Sequence, residues 1–191
     1  MQSKTMMGGA SEIHDRNHAD FYPTPVECTV ALLKRCPEFT NGLVWEPACG
    51  DGALSKVLEQ HGAKVISTDL HDRGYGMAGI NFLGFPAFPG TTSVVTNPPF
   101  NLAAEFIRHA ATMRVPFAML LKATYWQAAS RLSLFRETGP KLILPMTWRP
   151  AFAPTRGKSP TMEFCWTVWG AEPSETCIFA PIPKPTRTEH V

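Results

Sequence analysis

The sequence predicts an α/β fold, a doubly wound sheet of seven strands that is mostly parallel and has an antiparallel last strand. Short apolar, β-branched segments alternate along its 191 residues with segments whose apolar residues recur at helical spacing. Such alternation is typical of parallel sheets covered by helices. The connection at 145–160 is too short and too rich in proline for a crossover helix. The strand after it is therefore expected to run antiparallel to its neighbour.

The first element is a helix in the segment TPVECTVALLKRC. Thr24 is the expected N-cap, because its hydroxyl can accept a hydrogen bond from the first turn. Pro25 suits the first helical position, and Glu27 completes a capping box. Apolar residues of the segment fall on one helical face. We therefore expect the helix to begin directly after Thr24.

The remaining elements follow in order. Strands are expected in LVWEPAC, KVISTDL, INFL, TSVVT, VPFAMLLK, KLILPM and TMEFCWTVWG, and CIFAPIP is a candidate edge segment. Helices are expected from the Gly-rich turn to about Gly62, from about Leu102 to Met113, and in YWQAASRLSLFRETG, closed by Gly139. One domain is predicted over 20–180, between a flexible segment at 1–19 and a Pro-rich flexible tail at 181–191.

The composition argues against several classes of protein. No run of eighteen apolar residues is present, so no membrane span is expected, and the polar N-terminal segment lacks the apolar core of a signal peptide. The five cysteines are odd in number and form no CxxC motif, which indicates neither a disulfide framework nor a metal site. A cytoplasmic protein without a metal is therefore predicted. No feature of the sequence predicts an oligomeric state.

The net charge of +2 is unevenly distributed. Residues 1–105 carry seven Lys and Arg against eleven Asp and Glu, whereas residues 106–162 carry nine against Glu137 alone. A basic second half suits a polyanion such as a nucleic acid. A scattered, solvated basic surface accounts for the charge equally well.

A Gly-rich turn after the first strand carries the first functional signal. Gly50 and Gly52 permit a tight turn and close approach of a ligand, but their spacing is not that of a phosphate-binding loop. Asp69, at the end of the second strand, suits a ribose diol, and Glu46, at the tip of the first, suits an amino group. S-adenosylmethionine has both groups and no phosphate. The alternative is a purely structural turn.

Asn81 and Phe82, in the third strand segment, are then expected beside the adenine of that ligand. The Asn81 side-chain amide both donates and accepts, so it matches a purine edge. A turn-forming asparagine and a core aromatic residue are the alternatives.

The segment NPPF, after the fourth strand, carries the second functional signal. Ligands of open α/β sheets bind outside the carboxyl ends of the strands, and the two prolines remove donors there. The Asn97 side chain and the Pro98 carbonyl offer two acceptors to one amine, such as the exocyclic amine of adenine. Phe100 can stack on a flipped base, which contributes about 1–3 kcal/mol. The alternative is a rigid turn with a buried aromatic residue.

With these motifs the chain resembles S-adenosylmethionine-dependent adenine-N6 DNA methyltransferases, in the small form carried by phages. The matching segments are FYPTP, EPACGDGAL, TDL and NPPF, in this order within about residues 20–170. The resemblance implies a class I, Rossmann-like methyltransferase fold and S-adenosylmethionine as the cofactor. It also implies methyl transfer to the 6-amino group of adenine in DNA, by base flipping and direct in-line transfer.

The resemblance assigns roles to individual residues. The catalytic residues would be Asn97, Pro98, Pro99 and Phe100. The cofactor would be bound by Phe21, Tyr22, Thr24, Glu46, Pro47, Ala48, Gly50, Gly52, Asp69, Leu70, Asn81, Phe82 and Asn97. The family usually has Asp where this chain has Asn81, but Asn can still accept through its side-chain oxygen, so cofactor binding is expected. The chain also has no room for the separate target-recognition domain of sequence-specific members.

The loop at 145–160 is the remaining candidate for contact with a nucleic acid. Basic residues there alternate with aromatic ones, which suits contact with a strand and stacking on bases. The predicted nucleic-acid-binding residues are Lys122, Trp148, Arg149, Phe152, Arg156 and Lys158. An ordinary hairpin loop anchored by a tryptophan is the alternative.

Three other functions stay open on the sequence. The NPPF motif also suits adenine in RNA. Close relatives of the motif act on glutamine amides of proteins, a substrate that the basic second half disfavours. A nucleic-acid-binding module that keeps this fold without catalysis is the third.

Overall fold

The computed structural model describes residues 22–152 and 159–186. Its helices are α1 (Val26–Arg35), α2 (Ala53–Gln60), α3 (Ala103–Thr112) and α4 (Leu132–Thr138). Its strands are β1 (Leu43–Glu46), β2 (Lys64–Ser67), β3 (Thr91–Thr96), β4 (Phe117–Lys122), β5 (Leu142–Pro145), β6 (Phe164–Trp169) and β7 (Ile178–Phe179). The segment predicted to be flexible at 1–19, and the tail beyond residue 186, lie outside the described residues.

The described strands form one sheet in the order β2-β1-β3-β4-β6-β5-β7. β1 pairs in parallel with β2 and β3, and β3 pairs in parallel with β4. β6 runs antiparallel to both β4 and β5, because the described part of the connection before it contains no helix that could return the chain. The predicted mostly parallel seven-stranded sheet is confirmed. Strand order reverses direction between β1 and β3, which creates a crevice at their carboxyl ends.

One of the seven predicted strands was wrong. The segment INFL forms a 3₁₀ turn, Phe82–Gly84, in which the Asn81 side-chain oxygen accepts from the Leu83 N–H at 3.1 Å. The Phe82 ring packs edge-on against Trp45, with ring centroids 5.1 Å apart, and is 2% exposed. β2 is therefore the edge strand at this end of the described sheet. The seventh strand is β7, from the candidate edge segment.

The helix predicted at 125–139 is also shorter than expected. Two 3₁₀ turns occupy 125–127 and 129–131, and α4 begins only at Leu132. Trp126 accounts for part of the difference. Its indole N–H donates to the Thr167 hydroxyl of β6 at 3.1 Å, and this tertiary contact competes with a regular helix at Trp126. The end of the helix is as predicted, with Gly139 in the left-handed conformation at φ 51°.

The predicted capping box at the start of α1 is absent. Pro25 is the N-cap, and no side chain caps the helix. The Thr24 hydroxyl accepts a hydrogen bond from Asn97, 73 residues away in sequence, and Glu27 pairs with Lys184 at 3.7 Å. Thr24 and Glu27 therefore make tertiary contacts in place of the hydrogen bonds of a capping box.

The sheet separates two apolar clusters. Alternate residues of β6 divide between them: Phe164, Trp166 and Val168 pack with α1 and α2, and Cys165 and Trp169 pack with α3 and α4. All six residues of β6 are buried, as expected for a strand in the middle of a sheet covered on both faces. None of the helices in the described ranges has the length and apolar character that crossing a membrane requires.

Candidate active site

A cavity of about 570 Å³ opens at the carboxyl ends of β1, β2 and β3. It lies at the crevice where the strand order reverses, which is where open α/β sheets bind ligands, and its volume is in the range of small-molecule sites. Predicted site residues that line it are Tyr22, Thr24, Glu46, Pro47, Ala48, Asp69, Leu70, Asn81, Phe82, Asn97, Pro98, Pro99 and Phe100. The fold therefore brings most of the predicted cofactor residues and the NPPF segment to one cavity.

Gly50 and Gly52 do not line the cavity but shape the turn beside it. Both have positive φ, at 57° and 81°, a conformation that favours glycine. A Cβ atom on Gly52 would lie 2.5 Å from the Tyr75 ring. Gly52 therefore lets the backbone pass close to Tyr75, and the turn that both glycines permit brings Cys49 and Asp51 to the cavity wall. Phe21 lies outside the described residues.

Asp69 connects the Gly-rich turn to the end of β2. Its carboxylate accepts from the Gly50 N–H at 2.9 Å through one oxygen and from the His71 N–H at 2.8 Å through the other. The residue is 8% exposed, so these bonds hold a nearly buried charge. Each oxygen keeps further acceptor capacity toward a ligand in the cavity. Asp69 thus connects the Gly-rich loop after β1 with the loop after β2, and both loops line the cavity.

Glu46 is a buried carboxyl group at the tip of β1, 2% exposed. The Ser55 hydroxyl donates to its Oε2 and lies 2.6 Å from the Ser67 hydroxyl. Burial raises the pKa of Glu46 well above its usual range, the Ser55 hydrogen bond opposes this, and the negative Asp69 and Asp51 reinforce it. No ion pair to Glu46 occurs within the described ranges. A buried carboxyl group without a partner cation is suited to a cationic ligand.

Replacing Glu46 with glutamine is expected to stabilise the cofactor-free protein as pH rises. The folded-state pKa of Glu46 lies above the unfolded value of about 4.5, so the folded state binds more protons between these two values and wild-type stability falls there with rising pH. Glutamine has no charge to bury. The difference in melting temperature between E46Q and wild type should therefore grow from about pH 4.5 upward. Melting scans from acidic to neutral pH measure it. The exposed Glu38→Gln is the control, and a difference independent of pH contradicts the prediction.

The Asn97 side chain is held by the segment that precedes α1. Its Nδ2 donates to the Thr24 hydroxyl at 3.2 Å and to the Tyr22 carbonyl at 3.3 Å. Its Oδ1 is buried and has no hydrogen-bond partner among the described residues. Buried polar atoms without a partner are rare in folded proteins. Asn97 therefore keeps one buried acceptor without a partner, in a residue that lines the cavity.

Phe100 lies in an aromatic group at the same cavity. Tyr22 stacks on it with ring centroids 6.1 Å apart at 21°, and Phe164 contacts it at 6.1 Å. The Lys122 ammonium lies 4.7 Å from the Phe100 ring centroid, within the range of a cation–π contact. Phe152 continues the group against Phe164, with centroids 4.4 Å apart. The predicted base-stacking residue thus has a cation and further rings around it.

The four predicted nucleic-acid-binding residues that the structure describes do not line the cavity. Trp148 packs against the apolar core with its indole nitrogen buried, and Arg149 pairs with Glu163 at 2.7 Å. Lys122 and Phe152 lie next to the cavity through their ring contacts. Arg156 and Lys158 lie outside the described residues.

The segment 106–162 has a less positive surface than its number of Lys and Arg residues suggests. Arg108 pairs with Glu137 at 3.2 Å, and Arg114 pairs with Glu172. Glu163, the partner of Arg149, comes one residue after the range 106–162. Of the seven Lys and Arg residues that the structure describes in that range, three therefore face carboxylates, which reduces the positive surface expected from the sequence.

Further residues of the cavity wall escaped the sequence reasoning. Most adjoin predicted ones along the chain, so the loops that follow β1, β2 and β3 could have been taken whole. Phe106 comes from α3, and nothing in the local sequence indicates that it reaches the cavity. The residues are Pro23, Cys49, Asp51, Ala53, Leu54, His71, Arg73, Ile80, Asn101, Leu102 and Phe106.

Comparison with known proteins identifies the fold. The sequence matches no protein-family model, and it matches no curated protein. In structure it is similar to a candidate RNA methyltransferase from Pyrococcus horikoshii, with 16% identity, a TM-score of 0.63, and coverage of 80% of this chain and 88% of that one. A type I restriction-modification methyltransferase subunit from Streptococcus thermophilus gives 11% identity, a TM-score of 0.61 and coverage of 88% and 51%.

A third similar structure contains a bound ligand. Magnesium protoporphyrin IX methyltransferase from Synechocystis, with S-adenosylmethionine bound, gives 17% identity, a TM-score of 0.51 and coverage of 76% and 78%. The chain spans about half the length of the restriction-modification subunit. Its sheet, its flanking helices and these likenesses give the chain the fold of the class I methyltransferases.

Proposed function

We propose that the protein transfers a methyl group from S-adenosylmethionine to the 6-amino group of adenine in DNA. The single observation that carries the proposal is the Asn97 amide, whose nitrogen is bound by Thr24 and Tyr22 while its buried oxygen lacks a partner. Because an unsatisfied polar atom is costly to bury, a donor from a ligand in the cavity would stabilise this acceptor. An amino group supplies that donor.

The cavity suits S-adenosylmethionine on two counts. Its volume of about 570 Å³ admits a ligand of this size. Glu46 offers a buried carboxyl group to the ammonium, and Asp69, at the end of β2, offers acceptors to the ribose. Asn81 and Phe82, which also line the cavity, would contact the adenine ring. When bound, the cofactor supplies an electrophilic methyl group on a sulfonium.

The NPPF segment would orient the target amine. The Asn97 oxygen and the Pro98 carbonyl would each accept one hydrogen of the amine, which favours a more tetrahedral nitrogen with its lone pair directed at the methyl group. Pro98 and Pro99 carry no N–H that could compete for these acceptors. Methylation makes the nitrogen acidic, so no side chain needs to act as a strong base. Orientation is thus the main catalytic contribution of these residues.

The surroundings of Phe100 favour a nucleic acid as the substrate. Phe100 and Tyr22 would stack on the flipped base, which contributes about 1–3 kcal/mol per stacked base. Lys122, 4.7 Å from the Phe100 ring, would place a positive charge near the nucleotide phosphate. Neither contact distinguishes DNA from RNA, so adenine in RNA is the second candidate.

Transfer of a labelled methyl group decides between these functions. The protein is incubated with methyl-labelled S-adenosylmethionine and duplex DNA, single-stranded DNA, RNA or protein, and the product is digested to identify the methylated base. We expect N6-methyladenine in DNA. Label in RNA alone supports the second candidate, and label on protein contradicts both. Calorimetry that detects no cofactor binding supports a catalytically inactive nucleic-acid-binding module.

A further inference from the structure

We propose that Thr24 is a positioning residue, which together with the Tyr22 carbonyl fixes the Asn97 amide so that its oxygen faces the substrate amine. This inference rests on the proposed function of the same site. It assigns to Thr24 a role toward the catalytic amide and not toward the cofactor. It also gives the segment before α1 a part in catalysis, although that segment lies more than 70 residues from Asn97 in sequence.

The amide of asparagine has two ends of nearly equal size and opposite hydrogen-bonding character. One end only donates and the other only accepts. If the Asn97 amide rotated by half a turn, its NH₂ would meet the NH₂ of the substrate, and two donors would face each other. The orientation of the amide therefore determines whether Asn97 can hold the amine at all.

The Tyr22 carbonyl selects one orientation of the amide, and the Thr24 hydroxyl, which can donate or accept, holds the nitrogen in that orientation. The Tyr22 carbonyl, 3.3 Å from Nδ2, can only accept, so it requires the NH₂ end on its side. The Thr24 hydroxyl accepts a second hydrogen from the same nitrogen at 3.2 Å. Thr24 is 6% exposed, so water does not readily replace it. Both hydrogens of the amide are thus bound, and the oxygen is left for the ligand.

The contacts of Thr24 do not support the other role that its position suggests. A threonine before a helix normally caps the first turn, but α1 has no side-chain cap. The only hydrogen bond of its hydroxyl recorded among the described residues is the one from Asn97. The Thr24 hydroxyl therefore bonds to Asn97 and does not cap α1.

Replacement of Thr24 by valine tests the proposal, because valine keeps the shape and removes the acceptor. We expect the kcat of T24V to fall about tenfold, the effect of losing one hydrogen bond that maintains the amide orientation. The dissociation constant of S-adenosylmethionine should stay within about twofold of wild type, since the lost interaction acts on the amine. Thr24→Ser, which keeps the hydroxyl, should restore kcat.

A second buried threonine, in α1, provides a matched control. Thr29 is fully buried in α1, and its hydroxyl has no partner among the described residues. Thr29→Val makes the same chemical change without removing a hydrogen bond, so its kcat should equal that of wild type. A fall in kcat for T29V as large as that for T24V would attribute the effect to packing and overturn the proposal.

A second measurement tests the positioning of the Asn97 amide and does not depend on enzyme activity. The side-chain NH₂ signals of Asn97 in a ¹⁵N–¹H spectrum are assigned by their loss in Asn97→Ala. We expect slow exchange with solvent in wild type and T24S, and faster exchange in T24V. If wild type methylates no substrate, the proposed function fails while this measurement still decides the inference. Unchanged exchange in T24V, or a raised cofactor dissociation constant with unchanged kcat, overturns it.

Discussion

Asn97→Ala is expected to lower kcat by about 10²–10³-fold, the usual cost of removing one preorganised polar group from an active site. The variant loses the acceptor that orients the substrate amine, and the two prolines after it offer no replacement side chain. Cofactor affinity should stay within about threefold of wild type, because the interaction is made with the amine. Single-turnover transfer of a labelled methyl group measures the first quantity, and calorimetry measures the second.

The control for this variant is an exposed asparagine outside the cavity. Asn41 lies before β1, far from the cavity along the sheet, and contributes its backbone carbonyl to a hydrogen bond with Thr92. Asn41→Ala keeps that carbonyl, so its turnover should match wild type. Because Asn97 also connects Tyr22 and Thr24 to the NPPF segment, melting temperatures of both variants should be compared. Normal turnover by a folded N97A protein would remove the basis of the proposed mechanism.

Trp166→Ala is expected to lower the free energy of unfolding by about 3–5 kcal/mol, as for other large aromatic residues truncated in a core. Trp166 is fully buried in the central strand β6, and its indole N–H donates to the Cys28 carbonyl of α1 at 2.8 Å. The substitution leaves a cavity between the sheet and α1. Since small domains are stable by only about 5–15 kcal/mol, the loss is a large part of the total. Denaturant unfolding followed by fluorescence measures it.

Trp166→Phe separates the hydrogen bond from the packing. Phenylalanine fills most of the space but cannot donate to Cys28, so a loss of about 1–2 kcal/mol is expected. α1 is also the helix that follows Tyr22 and Thr24, so a shift of α1 should disturb the Asn97 amide. A W166A protein as stable as wild type would show that α1 is not anchored through this residue.

The strands illustrate what local sequence can and cannot predict. TSVVT and FAMLLK became β3 and β4 because continuous β-branched or apolar runs are buried on both faces of a parallel sheet. INFL has similar local propensity but forms a turn, because Phe82 packs against Trp45 and the Asn81 side chain caps the backbone. Propensity is overridden where a tertiary contact of one large side chain is more favourable.

Thr24 shows the same competition at a helix start. Its spacing to Glu27 satisfied the rule for a capping box, yet both side chains bond elsewhere in the fold. The count of charged residues failed for the same reason. It covered 106–162 and therefore left out Glu163, which forms an ion pair with Arg149 in the fold. Local rules fail at these positions because a hydroxyl or an ion bonds to whichever partner the fold brings near.

The sequence by itself determined the class of fold, the antiparallel return of β6 and the cluster of motifs that meets at one edge of the sheet. These follow from periodicity, from proline chemistry and from the rule that strand ends of parallel sheets share an edge. Only the tertiary structure decided the direction of the Asn97 amide, since its partners Tyr22 and Thr24 lie more than 70 residues away. Sequence predicts which groups a site contains, but the orientation of an amide depends on long-range hydrogen bonds that folding alone creates.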